Sequence, residues 1–142
     1  MTAAPRLVVA ARSARALAAA ARRAGFVPLA LDVFGDQDTR ALCAATSTPR
    51  RRGALRFSPA RLLDAARALA RDHAPLGFVY GAGLEHAPAT LAALADVLPL
   101  FGASGETVRQ VKSPQGFAAF CDAHGIARPQ IDLAPPANPQ DW

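Results

Sequence analysis

The chain alternates short apolar runs with longer amphipathic stretches. Arg6–Ala11 (RLVVAA) is apolar after its first residue, as a strand covered on both faces of a parallel sheet would be. Residues 14–24 read as a helix, with Ser13 placed to cap it and Gly25 to end it. A second strand, FVPLAL, spans residues 26–31, and Pro28 within it predicts an edge position or a bulge. Asp32 ends that strand. Gly35, Asp36, Gln37 and Asp38 then form a turn-and-cap cluster ahead of a helix over residues 38–45. Residues 46–53 read as a polar loop and residues 54–57 as a third strand. Ser58-Pro59 starts a helix, with serine as cap and proline in the first turn. Leu62, Leu63, Ala66, Leu69 and Ala70 form the apolar stripe of that helix, which reaches His73. LGFVY, residues 76–80, is the clearest strand. Gly81-Ala82-Gly83 turns the chain, Pro88 opens a helix to Asp96, and residues 98–101 make a last short strand before Gly102.

Strand and helix thus alternate through residue 103. Parallel strands require such helical crossovers. The predicted fold class is α/β: an open, mostly parallel, doubly wound, Rossmann-like sheet over residues 1–103. The pattern then changes. Residues 104–111 form a short helix with Ser104 and Thr107 near its start, and Lys112-Ser113-Pro114 breaks it. Residues 114–124 form another helix, closed by Gly125, and residues 126–133 read as extended. Residues 104–133 are therefore a helical extension. Residues 134–142, rich in proline and polar side chains, have the character of a linker.

Composition changes this picture in few places. With 142 residues, 51% of them hydrophobic, the chain can build one domain around a core. The formal net charge is +5, and 15 of the 16 Lys and Arg residues are Arg. The densest basic cluster is Arg50, Arg51, Arg52, Arg56, Arg61, Arg67 and Arg71. It fits either a surface for phosphate-bearing partners or solvated outer faces of a helix. No aromatic residues interleave with Arg50, Arg51 and Arg52, so a nucleic-acid partner is not expected. Cys43 and Cys121 lie far apart without CxxC spacing and read as buried, reduced thiols of a cytoplasmic protein. His73, His86 and His124 lack ligand spacing, so no metal site is assigned. The apolar runs are too short to span a membrane, and the N-terminus enters a strand without a leader pattern.

The candidate chemistry sits at turns. The first βα turn, Ala10-Ala11-Arg12-Ser13, lacks the glycines that let backbone approach a pyrophosphate, which argues against dinucleotide binding. Gly81-Ala82-Gly83 begins a G-x-G pattern but continues as Leu84-Glu85-His86. It is either a tight turn or the backbone lining of a ligand crevice, with Glu85 and His86 facing in. Neither side chain has an identifiable acid–base partner, so no catalytic residue is assigned. Asp32, Asp36 and Asp38 suggest an acidic pocket or, more simply, helix caps. Lys112, the one lysine, offers a compact point charge for phosphate.

Several segments together resemble a known family. They are Ser13-Ala14-Arg15-Ala16-Leu17-Ala18, Arg22-Arg23-Ala24-Gly25, and Leu31-Asp32-Val33-Phe34-Gly35-Asp36-Gln37-Asp38-Thr39-Arg40. Phe78-Val79-Tyr80-Gly81-Ala82-Gly83-Leu84-Glu85 belongs with them. So do Gly102-Ala103-Ser104, Thr107-Val108, Val111-Lys112, Phe117 and Gly125-Ile126-Ala127-Arg128-Pro129. Over residues 6–132 the chain resembles the N-terminal, pre-ATP-grasp region of ATP-grasp ligases. Within them it is most similar to the carboligase-like proteins of tetrahydromethanopterin and methylofuran one-carbon pathways. The resemblance implies a substrate-binding scaffold domain. Its enzyme would activate a carboxylate as an acyl phosphate, with ATP and Mg²⁺, for attack by an amine or similar nucleophile. It implies that Lys112 contacts ATP phosphates and that Gly81, Gly83 and Glu85 border a small-molecule substrate crevice. The second phosphate-binding lysine, glycine-rich loop and Mg²⁺ ligands of such enzymes are not among these residues. The expected partner is therefore an ATP-grasp domain. The chain alone is expected to be inactive and to hold neither ATP nor Mg²⁺ tightly. An open sheet edge and an uncovered docking face also allow a homodimer. The alternative, from another class, is a standalone Rossmann-like module for small-molecule binding or interaction.

Overall fold

Successive residues of a strand point to opposite faces, and here both faces are apolar because both are covered. The structure is a computed structural model that describes residues 3–131 together with Ala134 and Asn138. Strands β1 (Arg6–Ala11), β2 (Val27–Asp32), β3 (Ala45–Ser47) and β4 (Phe78–Tyr80) pair in parallel in the order β3-β2-β1-β4. Four helices connect and follow them: α1 (Arg15–Arg23), α2 (Gln37–Leu42), α3 (Pro59–His73) and α4 (Pro88–Ala95).

On one face, Val8, Ala10, Leu29, Leu31 and Phe78 pack with Leu62, Ala66 and Leu69 of α3 and with Leu91 and Leu94 of α4. On the other, Leu7, Val9, Ala11 and Ala30 pack with Ala18 and Ala21 of α1, and Leu42 of α2 lies against them. Helices thus cover both faces, and the sheet is a doubly wound, Rossmann-like open sheet as expected. Burying each of the larger side chains contributes about 1.5–3 kcal/mol.

Three local expectations are corrected. Pro28 lies on β2, which is interior and regular rather than an edge or a bulge. Val27 donates its N–H to Pro5 on the β1 side at 2.9 Å, so the peptide groups of Pro28 face β3. There the Pro28 carbonyl accepts the Ala44 N–H at 2.9 Å. The nitrogen without hydrogen falls ahead of Ala45, where β3 has not yet begun, and no ladder bond is lost.

The third strand is Ala45–Ser47, not residues 54–57. Helix α2 ends early, at an extended Cys43, and this frees Ala44 to start the pairing. Residues 54–57 form no strand; Phe57 reaches the α3-side core from a loop. The last expected strand shrinks to one parallel bridge between Phe78 and Leu100. The Pro99 carbonyl accepts the Phe78 N–H at 2.8 Å, but Pro99 has no N–H to extend that ladder.

By its contacts the chain falls into two compact units, Met1–Val108 and Arg109–Trp142. Helix α5 (Gly105–Lys112) begins at Ser104, whose hydroxyl accepts the Thr107 N–H at 3.1 Å. In the second unit, Ser113 caps α6 (Pro114–Ala123) by accepting the Gly116 N–H at 3.1 Å. Arg128 then grips Asp122 with two bonds of 2.9 and 2.7 Å, which holds the Asp122 carboxyl below the usual carboxylate range. The linker assigned to residues 134–142 lies outside the described residues, apart from Ala134 and Asn138.

Both cysteines are free thiols, Cys121 buried and Cys43 half-buried. Burial pushes the Cys43 thiol up to about 11. At pH 8 its thiolate population is then roughly a hundredfold below that of an unfolded thiol. Iodoacetamide should therefore modify Cys43 roughly a hundredfold more slowly in the native chain than in urea. Equal rates, read by peptide mapping, would contradict that burial.

Candidate functional site

In an open α/β sheet, ligands collect beyond the carboxyl ends of the strands where the strand order reverses. Here the reversal lies between β1 and β4: the chain runs from β1 outward through β2 to β3, then crosses back to the other side of β1. An open groove of about 820 Å³ occupies this place. Its walls come from the turn after β1 (Arg12), the loop before α3 (residues 51–59) and the turn after β4 (residues 83–87), with Thr90 of α4.

At the turn after β1, the carboxylate of Asp32, wholly buried at the end of β2, accepts the Ala14 N–H at 2.7 Å. Its other oxygen accepts Phe34 N–H at 2.6 Å and Gly35 N–H at 2.7 Å, and the buried Thr39 hydroxyl lies 3.4 Å from the first. Asp32 therefore acts as the cap that Ser13 was expected to supply; α1 has no capping bond from its own N-terminal side chain. Asp36 caps α2 through the Thr39 N–H at 2.7 Å, and that bond lowers its carboxyl below the ordinary value. Asp38 pairs with Arg15 at 3.0 Å. The three acids form no shared pocket; each has a separate structural role.

The turn after β4 is tied across to the turn after β1. Arg12 donates its N–H to the Ala82 carbonyl at 2.8 Å, and Gly81 donates to the Ala10 carbonyl at 2.9 Å. Of the residues singled out in this turn, Gly83 and Glu85 line the groove with His86. Gly81 does not; a Cβ there would meet Leu17 and Ala11 at 3.2 and 3.3 Å on the α1 side. Gly83 adopts φ +110°, and the Arg12 stem lies against it. Glu85 accepts the Gly83 N–H, which fixes the turn, and its other oxygen lies 3.6 Å from His86 Nε2. Glu85 thus shapes the groove wall as well as charging it.

The groove also draws in residues that the sequence pattern treated as surface. Arg12, Arg51 and Arg56 line it, as does Ser58, whose hydroxyl makes no capping bond to α3. Leu55, Phe57 and Leu84 supply its apolar part. Local pattern cannot place Arg12 and Arg56 on one groove, because they share it only once the β3–α3 connection reaches the sheet edge.

Lys112 is the last residue of α5; it is exposed and belongs to the second compact unit. Among the described residues its ammonium makes no hydrogen bond or ion pair. The described residues also contain no group of three or more His, Cys, Asp or Glu side chains able to hold a metal, and no helix long and apolar enough to cross a membrane.

No protein-family model and no curated protein matches the sequence. The fold does have solved relatives in shape. The chain spans 31% of the length of one of them, while 92% of this chain is covered, at 19% sequence identity. With a TM-score of 0.65, the chain is thus similar in fold to the biotin carboxylase domain of a single-chain bacterial carboxylase.

Proposed function

We propose that the chain is the N-terminal, substrate-binding scaffold domain of an ATP-grasp enzyme that joins a carboxylate to an amine or similar nucleophile through an acyl phosphate. One observation carries this reading: nearly the whole chain is similar in fold to part of a much longer biotin carboxylase domain. The groove at the strand-order reversal supports it, because that is where such a sheet presents a substrate. That structural likeness gives no support to the one-carbon pathway group, so the proposal stops at the ATP-grasp superfamily.

In this reading Gly83 and Glu85 form the substrate-facing wall, and Gly81 holds the same turn against β1. ATP and Mg²⁺ would supply the phosphoryl group and neutralise its charge. Lys112 would contact the ATP phosphates; an exposed ammonium without a partner among the described residues fits that role. Among the described residues no group of three or more His, Cys, Asp or Glu side chains could hold Mg²⁺, so in this reading an ATP-grasp domain would supply its ligands.

Hydroxylamine trapping of the acyl phosphate as a hydroxamate, together with ADP release, tests this. With ATP, Mg²⁺ and a panel of carboxylates, the 142-residue chain alone is expected to give neither product. The full-length product of its reading frame is expected to give both, and Lys112→Ala to lower them at least about tenfold. Turnover by the 142 residues, or no ADP release by the full-length product with any carboxylate, would refute the assignment.

A further inference from the structure

We propose that the groove binds a phosphate-bearing small molecule, with its anionic group held by Arg12, Arg51 and Arg56. The inference rests on reading this groove as the substrate site, and adds the chemical class of what enters it.

Charge carries the argument. Three arginines line one concave surface from two segments some forty residues apart in sequence, the turn after β1 and the loop before α3. None of the three forms an ion pair or side-chain hydrogen bond among the described residues. Elsewhere on the surface, Arg15, Arg67, Arg71 and Arg128 each have an aspartate partner. Among the described residues one acid, Glu85, lines the groove, and three arginines against one carboxylate leave its lining net positive. Like charges gathered in a cleft raise its positive potential and draw in an anion.

The number of arginines selects the kind of anion. A single carboxylate is matched by one bidentate guanidinium. Three forks suit a doubly charged group with three acceptor oxygens, which a phosphate monoester presents. The Ser58 hydroxyl, not used in capping, adds a neutral donor to the same wall. Leu55 is exposed beside the arginines, so the ligand's carbon body has an apolar surface to lie on. A groove of about 820 Å³ accommodates a metabolite-sized molecule.

The experiment is a titration of the 142-residue chain at low salt, by calorimetry and by arginine side-chain NMR, with phenyl phosphate, benzoate and inorganic phosphate. Phenyl phosphate is expected to bind at least about tenfold more tightly than benzoate, which carries the same ring on a single carboxylate. Inorganic phosphate should bind more weakly than phenyl phosphate, because it leaves the apolar wall empty. Arg51→Ala and Arg56→Ala should each weaken phenyl phosphate about tenfold. Arg23→Ala, at the far end of α1, should leave it unchanged. Benzoate binding as tightly, or arginine variants without effect, would overturn the inference. So would a single-stranded oligonucleotide that binds through the same arginines and outcompetes phenyl phosphate. If benzoate prevails in the groove, the phosphate class fails while the scaffold reading stands. If phenyl phosphate binds as expected but the full-length product releases no ADP, the scaffold reading fails while the phosphate site stands.

Discussion

Replacing Asp32 with alanine lowers the free energy of unfolding by roughly 4 kcal/mol. The carboxylate accepts three backbone N–H groups, from Ala14, Phe34 and Gly35, at 2.6 to 2.7 Å. It has no exposure to solvent, so water cannot replace it without opening the turn. Bonds to an ionised acceptor each contribute about 1.5–3 kcal/mol, and buried donors left without a partner cost a similar amount. The three losses overlap, because one relaxation of the loop relieves more than one of them. With a total stability of about 5–15 kcal/mol for a domain of this size, the urea midpoint should fall by about 2 M.

Asp32→Asn separates charge from shape. Whichever way its amide turns, the NH₂ faces a donor, either Ala14 N–H on one side or Phe34 and Gly35 on the other. It should lose about 2 kcal/mol, between alanine and the native residue. An alanine variant within about 0.5 kcal/mol of the parent would mean that Asp32 does not hold the two loops together.

Asp32 also marks how far sequence reaches. Its position at the end of an apolar strand was legible, and helix capping was the right kind of role for an aspartate there. The helix it serves was not legible, because Ala14 lies 18 residues earlier and meets Asp32 only when β1 and β2 pair. Ser13, the nearer polar residue, looked like the cap by spacing alone. The same limit explains the strands. The Arg6–Ala11 strand and the helix starting at Pro59 carry strong local signals and lie where expected. Three-residue Ala45–Ser47 carries no period at all, and it is a strand because β2 offers it partners.

The candidate groove divides in the same way. The glycines after β4 announced a turn at a strand's carboxyl end, and Gly83 and Glu85 do line the groove. Its arginines were hidden in plain composition. Arg51 and Arg56 belong to a run that includes Arg61, Arg67 and Arg71 on an outer helix face, and charge counting cannot separate the two sets. Only the three-dimensional path of residues 48–58 does.

Gly83→Ala tests whether the turn and the groove are one unit. At φ +110° a side chain is strained, at a cost of about 1–3 kcal/mol. The new Cβ would also lie 2.6 Å from Arg12 Cγ and 3.3 Å from its Cδ, so the Arg12 stem must leave its place. Arg12 cannot move freely at its root, since its N–H is bonded to Ala82 and its carbonyl to the Phe34 N–H. The two effects together should lower stability by about 3 kcal/mol. Turning the guanidinium out of the groove should weaken phenyl phosphate about tenfold.

Gly25→Ala is the control. It has a comparable positive φ, +85°, but nothing lies within 4 Å of its Cβ position. It should lose only about 1 kcal/mol and bind phenyl phosphate as the parent does. The difference between the two variants therefore isolates the contact with Arg12 from backbone strain. If Gly83→Ala proves as mild as Gly25→Ala and keeps its affinity, then Arg12 is not held into the groove by this turn. The anion would in that case depend on Arg51 and Arg56 alone.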